Sequence, residues 1–222
     1  MIQGIIFDWD GVLYDSFGYY YKFLKILAIK EGKKFPFKSL NDFRERMPQN
    51  FPEAVKILGI ESNNPYKDYK ALYVKHMDAH NILLFNKMKH LINKTASLKF
   101  GIASSGLQSI IEEVLEKNKM TPKFQSVIGY RNGAIKIKPA PDMLLICAKE
   151  MKIKPKNLIY VGDFYTDIMA ARNAGMISIA VTWGYSAKEI LKEEDPDFIA
   201  EKPDDIWKIV NKLNNGAAKH GN

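Results

Sequence analysis

The chain has a single cysteine, Cys147, in 222 residues. No intrachain disulfide can form, so burial and hydrogen bonding must hold the fold, and a reducing compartment is the simplest setting. Long apolar runs are missing as well: nothing approaches the roughly 18 consecutive apolar residues of a membrane span. The amino terminus enters a strand pattern directly, without the basic region, apolar stretch and cleavage site of a secretory leader. These absences lead to the expectation of a soluble, cytoplasmic protein. Also lacking is any basic stripe interleaved with aromatics, or a known nucleic-acid motif, although the formal charge is +8. The lysines are spread along the whole chain and read as a solvated surface. An anionic partner remains admissible, whether a nucleic acid, an acidic membrane or a phosphorylated metabolite.

What is present is an alternating pattern. Short apolar or β-branched runs at 4–8, 98–104, 126–130, 158–163, 177–182 and 197–201 read as buried strands, each closed by a polar residue or glycine. Between them, "LQSIIEEVLEKNKM", "DMLLICAKEMKI", "TDIMAARNAG" and "DDIWKIVNKL" carry helical periodicity, with Gly175 as a stop signal. Strand and helix in alternation imply right-handed crossovers and a doubly wound, Rossmann-like parallel sheet. The stretch 17–81 breaks the alternation with three or four helical segments and few strand signals. It is expected to be an all-α cap domain inserted into a core of residues 1–16 and 82–222. The tail "NNGAAKHGN" lacks apolar periodicity and is expected to fray.

In such sheets the binding crevice lies beyond the carboxyl ends of the strands. The first strand ends in Asp8, with Asp10 close behind, the second in Ser104 and Ser105, and the fourth in Asp163, with Asp167 four residues on. Lys138 stands before a helix in "KIKPAPD". Carboxylates gathered at one sheet edge repel one another and are costly to bury unless a cation sits among them. Hard oxygen ligands from few protein groups, with room for water and phosphate, suit Mg²⁺. A lysine, two hydroxyls and helix N–H groups can hold the remaining phosphoryl oxygens.

The ordered set resembles the haloacid dehalogenase-like phosphatases. "FDWDGVLYDS" matches the DxDGxxxDS motif, Ser104 the Ser/Thr motif, Lys138 the lysine motif and "GDFYTD" the GDxxxD motif. "KPAPD" and "VTWGY" look most like the phosphoglycolate phosphatase and β-phosphoglucomutase branches. The resemblance implies Asp8 as nucleophile and Asp10 as general acid and base. It implies Mg²⁺ on the Asp8 carboxylate, the Asp10 carbonyl and Asp163, with Asp167 in support, and Ser104, Ser105 and Lys138 on the phosphoryl group. An aspartate at position 10 also disfavours the dehalogenating and phosphonate-cleaving branches. Hydrolysis of a small phosphate ester, phosphoglycolate foremost, is the leading expectation. A sugar-phosphate mutase is the alternative, and a basic nucleic-acid binder with a vestigial crevice the remote one.

Other features read as structural. Asp15 and Ser16 are expected to cap or hinge the helix that follows, and Trp9 to pack. Tyr19, Tyr20 and Tyr21 read as packing aromatics, Cys147 as a small buried hydrophobe, and Lys22, Lys25 and Lys30 as helix-surface residues. Arg44 and Arg46 could select an anionic substrate tail but fit a solvated face better. His76 and His80 are four apart, without a third ligand or a general-base glutamate beside them.

Overall fold

The computed structural model describes residues 1–46, 51–76, 84–94, 97–131 and 135–218. The six expected strands all form: β1 (Gly4–Phe7), β2 (Lys99–Leu107), β3 (Phe124–Tyr130), β4 (Leu158–Gly162), β5 (Ile177–Val181) and β6 (Phe198–Ala200). They make one sheet in the order β3-β2-β1-β4-β5-β6, with every pairing parallel. The chain reverses its direction of strand addition at β1, so the crevice should open beside that strand.

Alternation along the strands sorts the core. Ile6 pairs with Gly101 on one side and Tyr160 on the other, and this row faces the helices α8 (Asp142–Met151) and α9 (Tyr165–Ala174) through Met143, Leu144, Cys147, Ala148, Ala170 and Ala171. Gly101 is bare because a Cβ there would overlap the sulfurs of Cys147 and Met151. Asp8 follows Ile6 by two positions and therefore points to the same face.

Helices α6 (Asn86–Lys94), α7 (Gln108–Lys117) and α11 (Pro203–Ala218) complete this part of the chain, together with the short α10 (Lys188–Glu193). Chain contacts separate two compact units, Met1–Asp15 with Leu83–Asn222, and Ser16–Ile82. Among its described residues the second unit is all helical: α1 (Phe17–Lys30), α2 (Leu40–Glu45), α3 (Phe51–Ile57), α4 (Pro65–Asp68) and α5 (Lys70–His76). Its centre is aromatic, with Phe43 packed by Phe17, Tyr20, Tyr21 and Phe37 at centroid distances of 4.9–6.0 Å.

Several expectations change. The strand at 98–104 runs on to Leu107, because a register irregularity against β3 lets Ser104, Ser105 and Gly106 arch while Leu107 still pairs with Tyr130. Within the helical stretch expected at 17–81, α4 is a single short turn that Asn64 caps and Pro65 opens, and it ends at Tyr69 before α5 begins. The tail does not fray at Asn214: α11 continues to Ala218, and the Asn214 side chain accepts a 2.6 Å bond from Ile2 N–H. Residues 219–222 of that tail lie outside the described residues. Ser16 holds the N-cap position of α1 but makes no side-chain cap bond, since its backbone is already helical (φ −96°, ψ −4°).

Candidate active site

The three central strands converge at their carboxyl ends. Phe7 pairs with Ile102 and with Val161, so the residues just beyond, Asp8, Ser104 and Asp163, emerge side by side from β1, β2 and β4. Asp8 N–H continues the ladder onto Val161 O at 2.8 Å. Lys138 arrives from the segment between β3 and α8. Its ammonium lies 2.9 Å from Asp8 Oδ1 and 2.5 Å from Asp167 Oδ1, and donates to the Tyr160 hydroxyl at 3.1 Å.

Asp167 is fixed from both ends. While Oδ1 meets Lys138, Oδ2 accepts the backbone N–H groups of Asp163 and Phe164 at 3.1 and 3.0 Å, which caps α9. Asp163 is gripped by glycines. A Cβ on Gly11 or on Gly184 would overlap its carboxylate, and Tyr185 N–H donates to Asp163 Oδ2 at 2.5 Å. Gly11 also adopts φ +73°, a conformation that disfavours other residues. Gly162 is needed as well, because a Cβ there would run into Asp167. On the other side of the crevice, a Cβ on Gly106 would stand 3.1 Å from Asp10 Oδ2 and 3.4 Å from Ser104 Oγ. Asp10 and Ser104 therefore flank the same glycine, and Ser105, within the arch, is half-buried.

Carboxylate oxygens of Asp8, Asp163 and Asp167 lie within 4.8 Å of one another, and all three residues are buried. Burial pushes Asp163 well above the usual carboxylate range, and the neighbouring Asp167 and Asp8 push it further. Burial likewise raises Asp167 to about 6, against the pull of Lys138. Lys138 goes the other way: burial opposes its charge, but Asp167 and Asp8 outweigh that and hold it well above its ordinary value. Three buried carboxylates against one ammonium leave an excess of negative charge on hard oxygen donors. That donor set fits a small divalent cation such as Mg²⁺.

The family model described as haloacid dehalogenase-like hydrolase matches residues 5–181. The chain belongs to this family.

The hydrolase is 28% identical over 220 residues to the phosphoglycolate phosphatase of Synechococcus elongatus, covering 96% of this chain and 99% of that protein. Among solved structures, a haloacid dehalogenase-like family hydrolase of Streptococcus pneumoniae shares the fold at TM-score 0.78 and 21% identity, covering 94% of this chain and 98% of that one. CbbY of Rhodobacter sphaeroides, solved in complex with phosphate, does so at TM-score 0.75 and 18% identity, covering 91% and 95%. The expectation of a phosphatase within this family stands.

Within the hydrolase, Asp8, Lys138, Asp163 and Asp167 form one charged cluster, and Asp10 and Ser104 meet beside Gly106. Tyr160, Gly11, Gly162, Gly184 and the Tyr185 N–H were not singled out as site groups from the sequence. Tyr160 lies inside the apolar run 158–163, where a hydroxyl in a strand buried on both faces must find a partner. Of the features read as structural, Trp9, Cys147 and the α1 lysines lie where that reading puts them, whereas Ser16 makes no side-chain cap bond. Trp9 is buried against Tyr14 at 6.0 Å, and the Cys147 thiol is buried, with its pKa pushed up to about 12 by burial. Arg46 is engaged by Asp42 at 2.6 Å and stacks over Phe37, while Arg44 lies 4.4 Å from the Phe17 ring centroid. Lys22, Lys25 and Lys30 are exposed on α1. His76 ends α5, and His80 lies outside the described residues. Among the described residues, no helix is long and apolar enough to cross a membrane.

Proposed function

We propose that this protein is a Mg²⁺-dependent phosphomonoesterase that hydrolyses a small phosphorylated metabolite, phosphoglycolate being the leading substrate, through an aspartyl-phosphate on Asp8. The observation that carries this reading is the buried cluster of Asp8, Asp163 and Asp167 around Lys138 at the ends of the central strands. The relative named phosphoglycolate phosphatase, aligned along nearly the whole chain, supports the substrate choice.

In the first half-reaction an Asp8 carboxylate oxygen attacks phosphorus in line. The new O–P bond forms as the ester O–P bond breaks, and Asp10 gives its proton to the departing alkoxide. In the second, Asp10 takes a proton from water, whose oxygen bonds to phosphorus as the Asp8 O–P bond breaks and phosphate leaves. Asp10 is half-buried beside Gly106, whereas Asp8 is buried against Lys138. Such a difference in surroundings is what two carboxylates with different proton duties need. The Asp8 carboxylate, the Asp10 carbonyl and the Asp163 carboxylate would hold Mg²⁺, which when bound neutralises charge on the phosphoryl oxygens. Ser104, Ser105 and Lys138 orient that group by hydrogen bonds, and Asp167 keeps Lys138 extended towards it. The unit Ser16–Ile82 serves as the cap that selects the leaving group.

A panel of phosphorylated metabolites, assayed for phosphate release with Mg²⁺, tests the reading. Release from phosphoglycolate ahead of sugar phosphates supports it. Conversion of β-glucose 1-phosphate to glucose 6-phosphate would replace it with a mutase, and salt-dependent binding to RNA or DNA with no turnover of any ester would remove the enzyme reading.

A further inference from the structure

Lys138 has three N–H protons and faces three acceptors, two of them carboxylates that the proposed mechanism already uses. The third is Tyr160, in the middle of β4. Its ring stands in the row with Ile6 and Gly101, and its hydroxyl reaches across β1 to donate to Ala103 O on β2 at 2.8 Å. Asp167 Oδ1 is 3.5 Å away from the same hydroxyl, so the phenol proton goes to the closer carbonyl. The lone pairs of the hydroxyl oxygen are then left for the ammonium at 3.1 Å. The hydroxyl, donor to the carbonyl and acceptor from the ammonium, thus links the two.

We infer that Tyr160 is a positioning residue: it ties the Lys138 ammonium to Ala103 of β2, next to Ser104, and so fixes the spacing between the two side chains expected to hold the transferring phosphoryl group. Asp8 and Asp167 define a line of charge along which Nζ could slide, and Tyr160 supplies the third point that stops it. A neutral phenol suits the task better than a third carboxylate, because it is the weakest of the three acceptors. Being uncharged, it adds no further repulsion to a cluster that already holds three buried carboxylates. The inference rests on the phosphatase reading, since positioning matters only if Lys138 meets a phosphoryl group.

The test is a double-mutant cycle on hydrolysis of p-nitrophenyl phosphate with Mg²⁺, combined with crystal structures. Tyr160→Phe is expected to lower kcat by about 10- to 100-fold, the range for a misplacement of about 1 Å, with KM changed less than threefold. In a Lys138→Met background the same substitution should cost almost nothing further. An equal loss in both backgrounds would show a merely structural role and overturn the inference. In the Tyr160→Phe crystal structure Nζ of Lys138 should be displaced or spread over two positions, and an unmoved Nζ would also overturn it. If Tyr160→Phe does not fold, 3-fluorotyrosine at position 160, which weakens the acceptor but keeps the hydroxyl, must lower kcat, and unchanged kcat refutes the inference. Should wild-type protein hydrolyse no ester at all, the phosphatase reading fails, while the position of Nζ still decides whether Tyr160 places Lys138.

Discussion

Asp163→Asn should make the metal-free protein more stable while it removes activity. Asp163 faces the carboxylates of Asp8 and Asp167 within 4.8 Å. At that distance, and at an effective dielectric near 20, each like-charge pair costs about 3.5 kcal/mol. Lys138 and the Tyr185 N–H offset part of this, and shared protons relieve more of it, so the net gain on neutralisation is roughly 1–3 kcal/mol. Asparagine has the shape of aspartate, keeps an oxygen for Tyr185 N–H, and can turn its NH₂ towards the two remaining carboxylates. For a chain of this size, each kcal/mol moves Tm by about 2–4 °C, so the variant in EDTA should melt roughly 2–12 °C above wild type. Mg²⁺ at a hundredfold excess over its Kd should stabilise wild type by about 2.7 kcal/mol and leave the variant nearly unmoved. Differential scanning calorimetry in EDTA and in Mg²⁺ measures both. A variant less stable than wild type in EDTA, or one that keeps the full Mg²⁺ response, would refute the claim that Asp163 sits in an overcharged cation site.

Three further outcomes follow from the same geometry. Gly184→Ala puts a Cβ into the Asp163 carboxylate and should cost roughly 1–3 kcal/mol together with most of the activity, read by Tm and kcat. Burial raises Asp167 to about 6, so the folded state keeps a proton that the unfolded chain has lost. Metal-free stability should therefore be greatest below the ordinary carboxylate pKa and fall as pH rises through about 6, by an amount on the order of 2–3 kcal/mol. Urea titrations in EDTA from pH 4 to 7 should show a steeper slope in wild type than in Asp167→Asn, where only the raised pKa of Asp163 remains to contribute. The Cys147 thiol, its pKa pushed up to about 12, should resist disulfide-exchange reagents until the protein unfolds, and rapid labelling of native protein would contradict its burial.

The sheet was legible because its central strands β1 and β4 are buried throughout and the others largely so, which makes each a short apolar run, and because each run is closed by a polar residue or glycine. Boundaries were legible only where side-chain chemistry marks them, as at Gly175, which stops α9 with φ +68°. The extension of β2 depends on its register with β3, a relation between segments that no local pattern carries. Helix α10 escaped notice because six residues with one buried apolar side chain, Leu191, are too few to show a period. The acids and Lys138 could be singled out because charge at a strand end is costly without a purpose. Their supports could not. Gly11 and Gly184 matter only because Asp163 comes between them, and Tyr160 looks like any strand aromatic until its hydroxyl is seen between Ala103 and Lys138.

The central claim is that Asp8 carries the phosphoryl group, and rapid acid quench with ³²P-labelled substrate in the presence of Mg²⁺ tests it most directly. The label should be found, during turnover, on the peptide containing Asp8, stable in acid and released by hydroxylamine as an acyl phosphate is, and it should be absent from Asp8→Asn. Label on another residue, or full turnover by Asp8→Asn, would contradict the account.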